Sequence, residues 1–155
     1  MGTESMSDDE LAAWMQAEHQ ATRTLTKVIR EHIAIMPESN HDKWLDGLRA
    51  AFARLTAHLQ RNFKAQESGG YLKFITEQRP TLTNEVERIR SEHTELLRMA
   101  DRIRVDLAEA TTAEHLLIAD ASARIQRFIA VVAQHDQREN MLTLFVVSQD
   151  IGSSE

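Results

Sequence analysis

The chain has 155 residues, of which 42% are hydrophobic and 27% charged, and its net charge is -6. This composition is typical of one soluble globular domain, and the acidic balance argues against general nucleic-acid binding, which needs clustered Lys and Arg. The absence of cysteine excludes disulfides, thiolate metal ligands and a cysteine nucleophile. No basic-then-apolar secretion signal and no run of about 20 apolar residues is found, so we expect a cytoplasmic protein with no membrane partner.

The first half of the sequence predicts two helices. The first spans about 8–35, where Ser7 and Glu10 fit a capping box at its start and Pro37 follows its end. The second spans about 42–67 and closes at Gly69 and Gly70.

The second half predicts two more helices, at about 81–109 and 112–147, after a central link of sequence GGYLKFITEQRP. Their apolar residues recur at helical spacing, and those of the third helix keep a seven-residue alternation for over three heptads. Long helices with short connections predict an all-α protein, an antiparallel up-down-up-down four-helix bundle with an internal two-helix repeat, in a single domain over residues 1–155.

Polar residues interrupt the predicted apolar faces at matching places. His93 falls in the middle of the third stripe, His135 and Glu139 fall within the fourth, and His19 lies at the flank of the first. Buried carboxylates normally pair or bind a metal, and imidazole with carboxylate suits iron, zinc, nickel or copper. We therefore predict a metal site on these helices. The remaining histidines outside the second helix are expected at the surface: His32, His41 and His115.

The two halves repeat this pattern. AEHQATRTL and SEHTELLRM each carry Glu-His, and 43 residues separate His19 from Asn62, whereas 42 separate His93 from His135. Glu139 follows His135 by four residues, as Gln66 follows Asn62. These two amides therefore stand where the repeat would place a His and a Glu.

With these motifs, the sequence resembles the hemerythrin-like, HHE cation-binding domains from about residue 10 to 147. Phe63 and Glu67 match the first-half motif of that family, and HDQREN matches the second. The resemblance implies a non-haem di-iron centre inside a four-helix bundle that binds or senses oxygen, iron or related small molecules. It also implies four metal ligands: His19, His93, His135 and Glu139.

The departures from the family pattern leave alternatives open. His58 lies one turn before Asn62 and could replace the lost imidazole, or it could have a surface or capping role. The site could hold one metal ion, hold two in altered form, or be empty, with Asn62 and Gln66 hydrogen-bonding across a polar core to His93, His135 and Glu139. Three acidic neighbours are expected mainly as surface charge, with a role in orienting histidines as the alternative: Glu18, Glu67 and Glu92.

We therefore expect a metal-binding protein that binds or senses a small molecule, rather than an enzyme, because no nucleophile elbow, phosphate loop or zinc-protease helix occurs. Weak oxidase or peroxidase chemistry is a lesser alternative. The rival function is a metal-free interaction or ligand-pocket module, for which Trp14 and Trp44 could anchor a partner if they were exposed.

Overall fold

A computed structural model describes residues 7–153, with side chains described for residues 7–148. These residues form five α-helices, with one short 3-10 helix between α3 and α4. The bounds are α1 Asp8–Ala34, α2 His41–Ser68, α3 Tyr71–Gln78, the 3-10 helix Pro80–Leu82, α4 Thr83–Glu109 and α5 His115–Ser153.

The predicted helices are found, with three corrections. Ser7 caps α1, since its hydroxyl accepts from the Glu10 amide at 3.2 Å. The central link, however, contains the additional helix α3, and His41 is the first residue of α2 rather than part of a loop. The last helix begins at His115 instead of 112 and extends to Ser153 instead of ending at 147.

Helix α3 forms because its apolar side chains close one end of the bundle. Tyr71, Leu72 and Ile75 are fully buried, and the helix packs against α2, α4 and α5. The Tyr71 hydroxyl lies 2.6 Å from Thr143 Oγ1. Burial of this face explains why eight residues between a Gly pair and a Pro are helical.

Four long helices build the core. α1 packs against α2 and α5, and α4 packs against the same two helices. This arrangement confirms an all-α helical bundle, while the alternation of helix directions stays a prediction. None of the helices within residues 7–153 is long and apolar enough to cross a membrane.

The core consists of two apolar clusters with polar residues between them. One cluster contains Leu11 and Met15 of α1, and the other contains Ile29 farther along that helix. The buried His19 lies between them, and α4 and α5 are interrupted in the same way by His93 and by His135 with Glu139. The polar layer is therefore sealed from both ends of the bundle.

The two tryptophans serve helix packing. Trp44 is buried in the cluster that contains Ile29, whereas Trp14 belongs with the cluster that contains Leu11 and Met15. The Trp44 indole donates to the His32 carbonyl, and His32 Nε2 lies 2.7 Å from the Trp44 carbonyl. The two rings stack, so His32 is half-buried rather than a surface residue as predicted. Trp14, also half-buried, packs against its cluster beside Tyr71.

Arg49 joins α2 to the end of α4. Its Nε donates to the Leu107 carbonyl at 2.7 Å and its Nη2 to the Ala110 carbonyl at 2.8 Å. These carbonyls at the C-terminal end of α4 have no partner within their own helix, so the guanidinium satisfies them.

We predict that Arg49→Met lowers the free energy of unfolding by about 2 kcal/mol, because hydrogen bonds from a charged donor contribute roughly 1.5–3 kcal/mol. Urea denaturation followed by circular dichroism would measure the change. Arg54→Met, at an exposed position on the same helix, is the matched control and should change stability by less than about 0.5 kcal/mol. An equal loss in both variants would contradict this role.

Candidate metal centre

Three helices bring the predicted ligand residues together. His19 comes from α1, His93 from α4, and His135 with Glu139 from consecutive turns of α5. The four residues are 3%, 1%, 0% and 0% exposed, respectively. Because residues four apart share one face of a helix, α5 presents both of its side chains to the same interior point.

Glu139 is the hub of this group. Its Oε1 lies 3.2 Å from His19 Nε2 and 3.3 Å from His135 Nε2, and its Oε2 lies 3.2 Å from His93 Nε2. Burial alone would raise the pKa of Glu139, but the imidazoles of His135, His19 and His93 outweigh it and hold that pKa below its usual range. The carboxylate is therefore ionised in the bundle interior.

Carboxylates at the rim of the centre fix the tautomers of His93 and His135. His93 Nδ1 lies 2.9 Å from Glu67 Oε2, and His135 Nδ1 lies 2.7 Å from Glu92 Oε1. Each Nδ1–H donates to a carboxylate, which leaves Nε2 pointing at Glu139. A neutral imidazole would then direct a lone pair at an anion.

A cation is consequently required between these Nε2 atoms and Glu139. At His135 a proton can meet this requirement: burial lowers the pKa of His135, but Glu139 and Glu92 outweigh it and raise that pKa above its usual value. A metal ion would meet the same requirement and would leave both imidazoles neutral, the form in which histidine binds metals.

The outer carboxylates were expected mainly as surface charge, with the orienting of histidines as the alternative; Glu67 is indeed exposed, but both it and Glu92 contact histidines of the centre. Glu92 contacts His135 of the opposite helix rather than its neighbour His93, and Arg138 Nη2 lies 2.8 Å from its second oxygen. Burial tends to raise the pKa of Glu92, but His135 and Arg138 lower it below its usual value. Glu67 plays the corresponding part for His93, and Glu18 has its carboxylate 4.0 Å from His58 Nε2.

Asn62 and Gln66 are buried beside the centre but contact each other. Gln66 Nε2 donates to Asn62 Oδ1 at 3.1 Å, whereas the hydrogen bonds expected across the core to His135, Glu139 and His93 are not formed. Asn62 Nδ2 and Gln66 Oε1 have no partner within the described residues. An unsatisfied buried polar atom costs about 1–3 kcal/mol, so this half of the repeat is a destabilising feature of the metal-free core.

His58 is buried rather than at the solvent boundary, with 8% exposure. Its Nε2 lies 2.9 Å from Thr22 Oγ1 and 3.2 Å from the Glu18 carbonyl, both on α1. This nitrogen therefore links α2 to α1. His58 belongs to neither group of potential ligand atoms among the described residues.

The described part of the chain contains two groups of potential ligand atoms, and they share Glu139. We call His93, His135 and Glu139 the inner triad, and His19, Asp136 and Glu139 the outer triad; within each, the ligand atoms lie within 4.8 Å of one another. Asp136 was missed in the sequence, although its position three residues before Glu139 places both on one helix face.

The residues of both triads fit a metal ion. His135 Nε2 lies 3.3 Å from Glu139 Oε1 without forming a well-aligned hydrogen bond, and Asp136 Oδ1 has no hydrogen-bond partner among the described residues, so both are available as ligands. Burial, together with Glu139, raises the pKa of Asp136 to about 6 despite the opposing effect of His19. A cation beside Asp136 would stabilise its ionised form, and imidazole with carboxylate is a common ligand set for first-row transition metals.

A surface cavity of about 340 Å³ reaches the outer triad between α1 and α5. His19 and Asp136 form part of its wall, and Arg23, Gln137 and Asn140 are among the other lining residues. On the inner side, the Phe63 ring stacks on His93 with centroids 4.0 Å apart and planes 9° apart. The centre thus opens to this cavity at the outer triad and is packed against Phe63 at the inner triad.

A model of the hemerythrin HHE cation-binding domain matches residues 10–144. The chain therefore belongs to the hemerythrin HHE cation-binding family, in agreement with the buried His and Glu residues described above. Comparisons with curated proteins and with solved structures find no significant match.

We predict that Glu92→Gln weakens metal binding by about 10- to 100-fold, because loss of the carboxylate that orients a histidine ligand has effects of this size. Competition with a chelator of known affinity would measure the dissociation constant. Glu95→Gln, at an exposed position on the same helix, should leave it unchanged. Unchanged affinity in Glu92→Gln would show that His135 does not depend on this contact.

Proposed function

We propose that the protein binds iron at the buried centre around Glu139 and uses it to bind or sense a small molecule such as dioxygen. The observation that carries the proposal is the orientation of His93 and His135. Both Nδ1–H groups are engaged by carboxylates, and both Nε2 atoms lie within 3.3 Å of the buried Glu139. Bound non-haem iron would supply redox chemistry and open coordination positions for a small ligand.

Each residue has a separate part in this proposal. His93, His135 and Glu139 would hold the metal, Glu67 and Glu92 orient the two imidazoles, and the apolar clusters exclude water from the ends. The cavity beside His19 offers a route for a small ligand. We propose binding or sensing rather than catalysis, because the lining of this cavity offers, apart from His19 and Asp136 of the centre itself, only amides, an alanine and one cation, and no activated nucleophile.

The experiment that tests the proposal is anaerobic loading with Fe(II), desalting, and metal analysis by mass spectrometry. We expect about one equivalent of iron per chain or more, and a change in near-ultraviolet absorption when air is admitted. Glu139→Gln should lose most of this iron, because the shared carboxylate becomes a neutral amide, while Asp120→Asn, at an exposed position on α5, should bind like the wild type. An iron-free, fully helical wild type would instead support the metal-free interaction module.

Restoring the missing carboxylate of the repeat gives an independent prediction. In the metal-free protein, Gln66→Glu should cost several kcal/mol of stability, because it places a charge at a position with 0% exposure. Iron should recover much of that loss, since a carboxylate binds the cation better than an amide does. Urea denaturation with and without iron would measure both effects.

Gln60→Glu is the matched control, because position 60 is exposed on the same helix. Its stability should differ little from that of the wild type in either condition. If iron stabilised Gln66→Glu no more than it stabilises the wild type, position 66 would not face the metal.

A further inference from the structure

The two triads share one carboxylate but differ in chemistry. The inner triad has two imidazole nitrogens and Glu139, whereas the outer triad has one imidazole, Asp136 and Glu139. Imidazole-rich sites suit iron and zinc, while sites rich in carboxylate and water suit manganese and magnesium. A pair of identical metal ions would not be equally well held in both positions.

The triads also differ in their surroundings. Glu67 and Glu92 fix the inner imidazoles and Phe63 packs flat against one of them, so this position is rigid. The outer triad lies against the cavity between α1 and α5, which has room for several water molecules at about 30 Å³ each. Water could complete the coordination of a cation at the outer triad, and the cation could exchange with solvent through this cavity.

Asp136 is the residue that points to a second ligand. It is 8% exposed, its Oδ1 has no hydrogen-bond partner among the described residues, and His19 Nε2 is 3.7 Å away from that atom. Leaving a buried carboxylate oxygen unpaired is costly, and neither amide relieves it: Gln66 Nε2 donates to Asn62, and Asn62 Nδ2 makes no hydrogen bond within the described residues. A cation between His19, Asp136 and Glu139 would satisfy it.

We propose that the centre takes two unlike cations: iron in the inner triad, and an exchangeable, oxygen-preferring divalent cation of the Mn²⁺ type in the outer triad. The inference rests on the proposed function for its inner metal. It adds to that function a metal-binding role for Asp136 and a difference in metal preference between the two triads.

The first test offers metal-free protein Fe²⁺ together with an excess of Mn²⁺ under anaerobic conditions, because any single site binds Mn²⁺ more weakly than Fe²⁺; desalting and metal analysis follow. We expect about one equivalent of each per chain. Electron paramagnetic resonance gives a second readout, because the six-line spectrum of aqueous Mn²⁺ disappears when the ion binds. Two equivalents of iron, or iron alone, would overturn the inference while leaving iron binding intact. A protein that binds neither metal would overturn both proposals.

The second test assigns the position. Asp136→Asn keeps the shape of the side chain, and we expect it to retain iron and to weaken Mn²⁺ binding by at least about 10-fold, since losing a ligand costs no less than losing the group that orients one. Asp120→Asn is the control, as before. Equal Mn²⁺ affinity in Asp136→Asn and the wild type would overturn the assignment.

The third test concerns exchange and needs no ligand to be removed. After addition of a chelator to the mixed-metal protein, Mn²⁺ should leave at least about 10-fold faster than iron, because only the outer triad adjoins the cavity. Ala133→Phe adds bulk to the cavity wall and should slow Mn²⁺ release without changing iron release. Release of both metals at one rate in the wild type would contradict the inference.

Discussion

A fully buried carboxylate imposes the main constraint on this bundle. Glu139 is ionised in an interior where an isolated charge would be very costly, and its two oxygens lie within 3.3 Å of three imidazole nitrogens. Two of those imidazoles in turn donate to carboxylates at the rim, one of which is paired with Arg138. The charge of Glu139 is thus balanced first by the imidazoles and then by the carboxylates that hold them. Both sets of contacts require the helices to keep their positions relative to one another.

The two halves of the internal repeat differ at the centre. The second half keeps His93, His135 and Glu139, while Asn62 and Gln66 of the first half have turned to each other and His58 has bonded to α1. Asp136 adds a carboxylate on α5, next to the residues that were kept. The potential ligands are consequently concentrated on α5, and α2 contributes the two amides, the Glu67 carboxylate that holds His93 and the Phe63 ring that packs against it.

Periodicity was sufficient to locate the long helices, because their buried stripes extend over many turns. Helix α2 was predicted within one residue at each end, and α4 was predicted to start two residues too early. Helix α3 could not be found in this way, because eight residues make only about two turns and its apolar face is defined by the bundle end that it covers. Helix α5 starts later than predicted because Thr111–Glu114 forms a separate turn, closed by the Glu114 amide and the Thr111 carbonyl, instead of the first turn of the helix.

Residues of the centre could be predicted only where they lie in the middle of the apolar face of their helix. His93, His135 and Glu139 do so, and His19 is close enough to join them. Asp136 lies 100° around the helix from His135, and its burial depends on α1, which a single-helix pattern cannot include. His58 was placed at the solvent boundary for the same reason, since Thr22 and Glu18 of the neighbouring helix cover it.

The placement of the two tryptophans has an optical consequence. Trp44 lies in the apolar cluster on one side of the polar layer, and Trp14 packs against the cluster on the other side. Trp14 is next to Tyr71, whose hydroxyl donates to the Glu139 carbonyl at 3.3 Å. Each end of the bundle therefore carries its own intrinsic fluorophore, and single Trp→Phe variants separate the emission of the end that adjoins Glu139 from that of the end that does not.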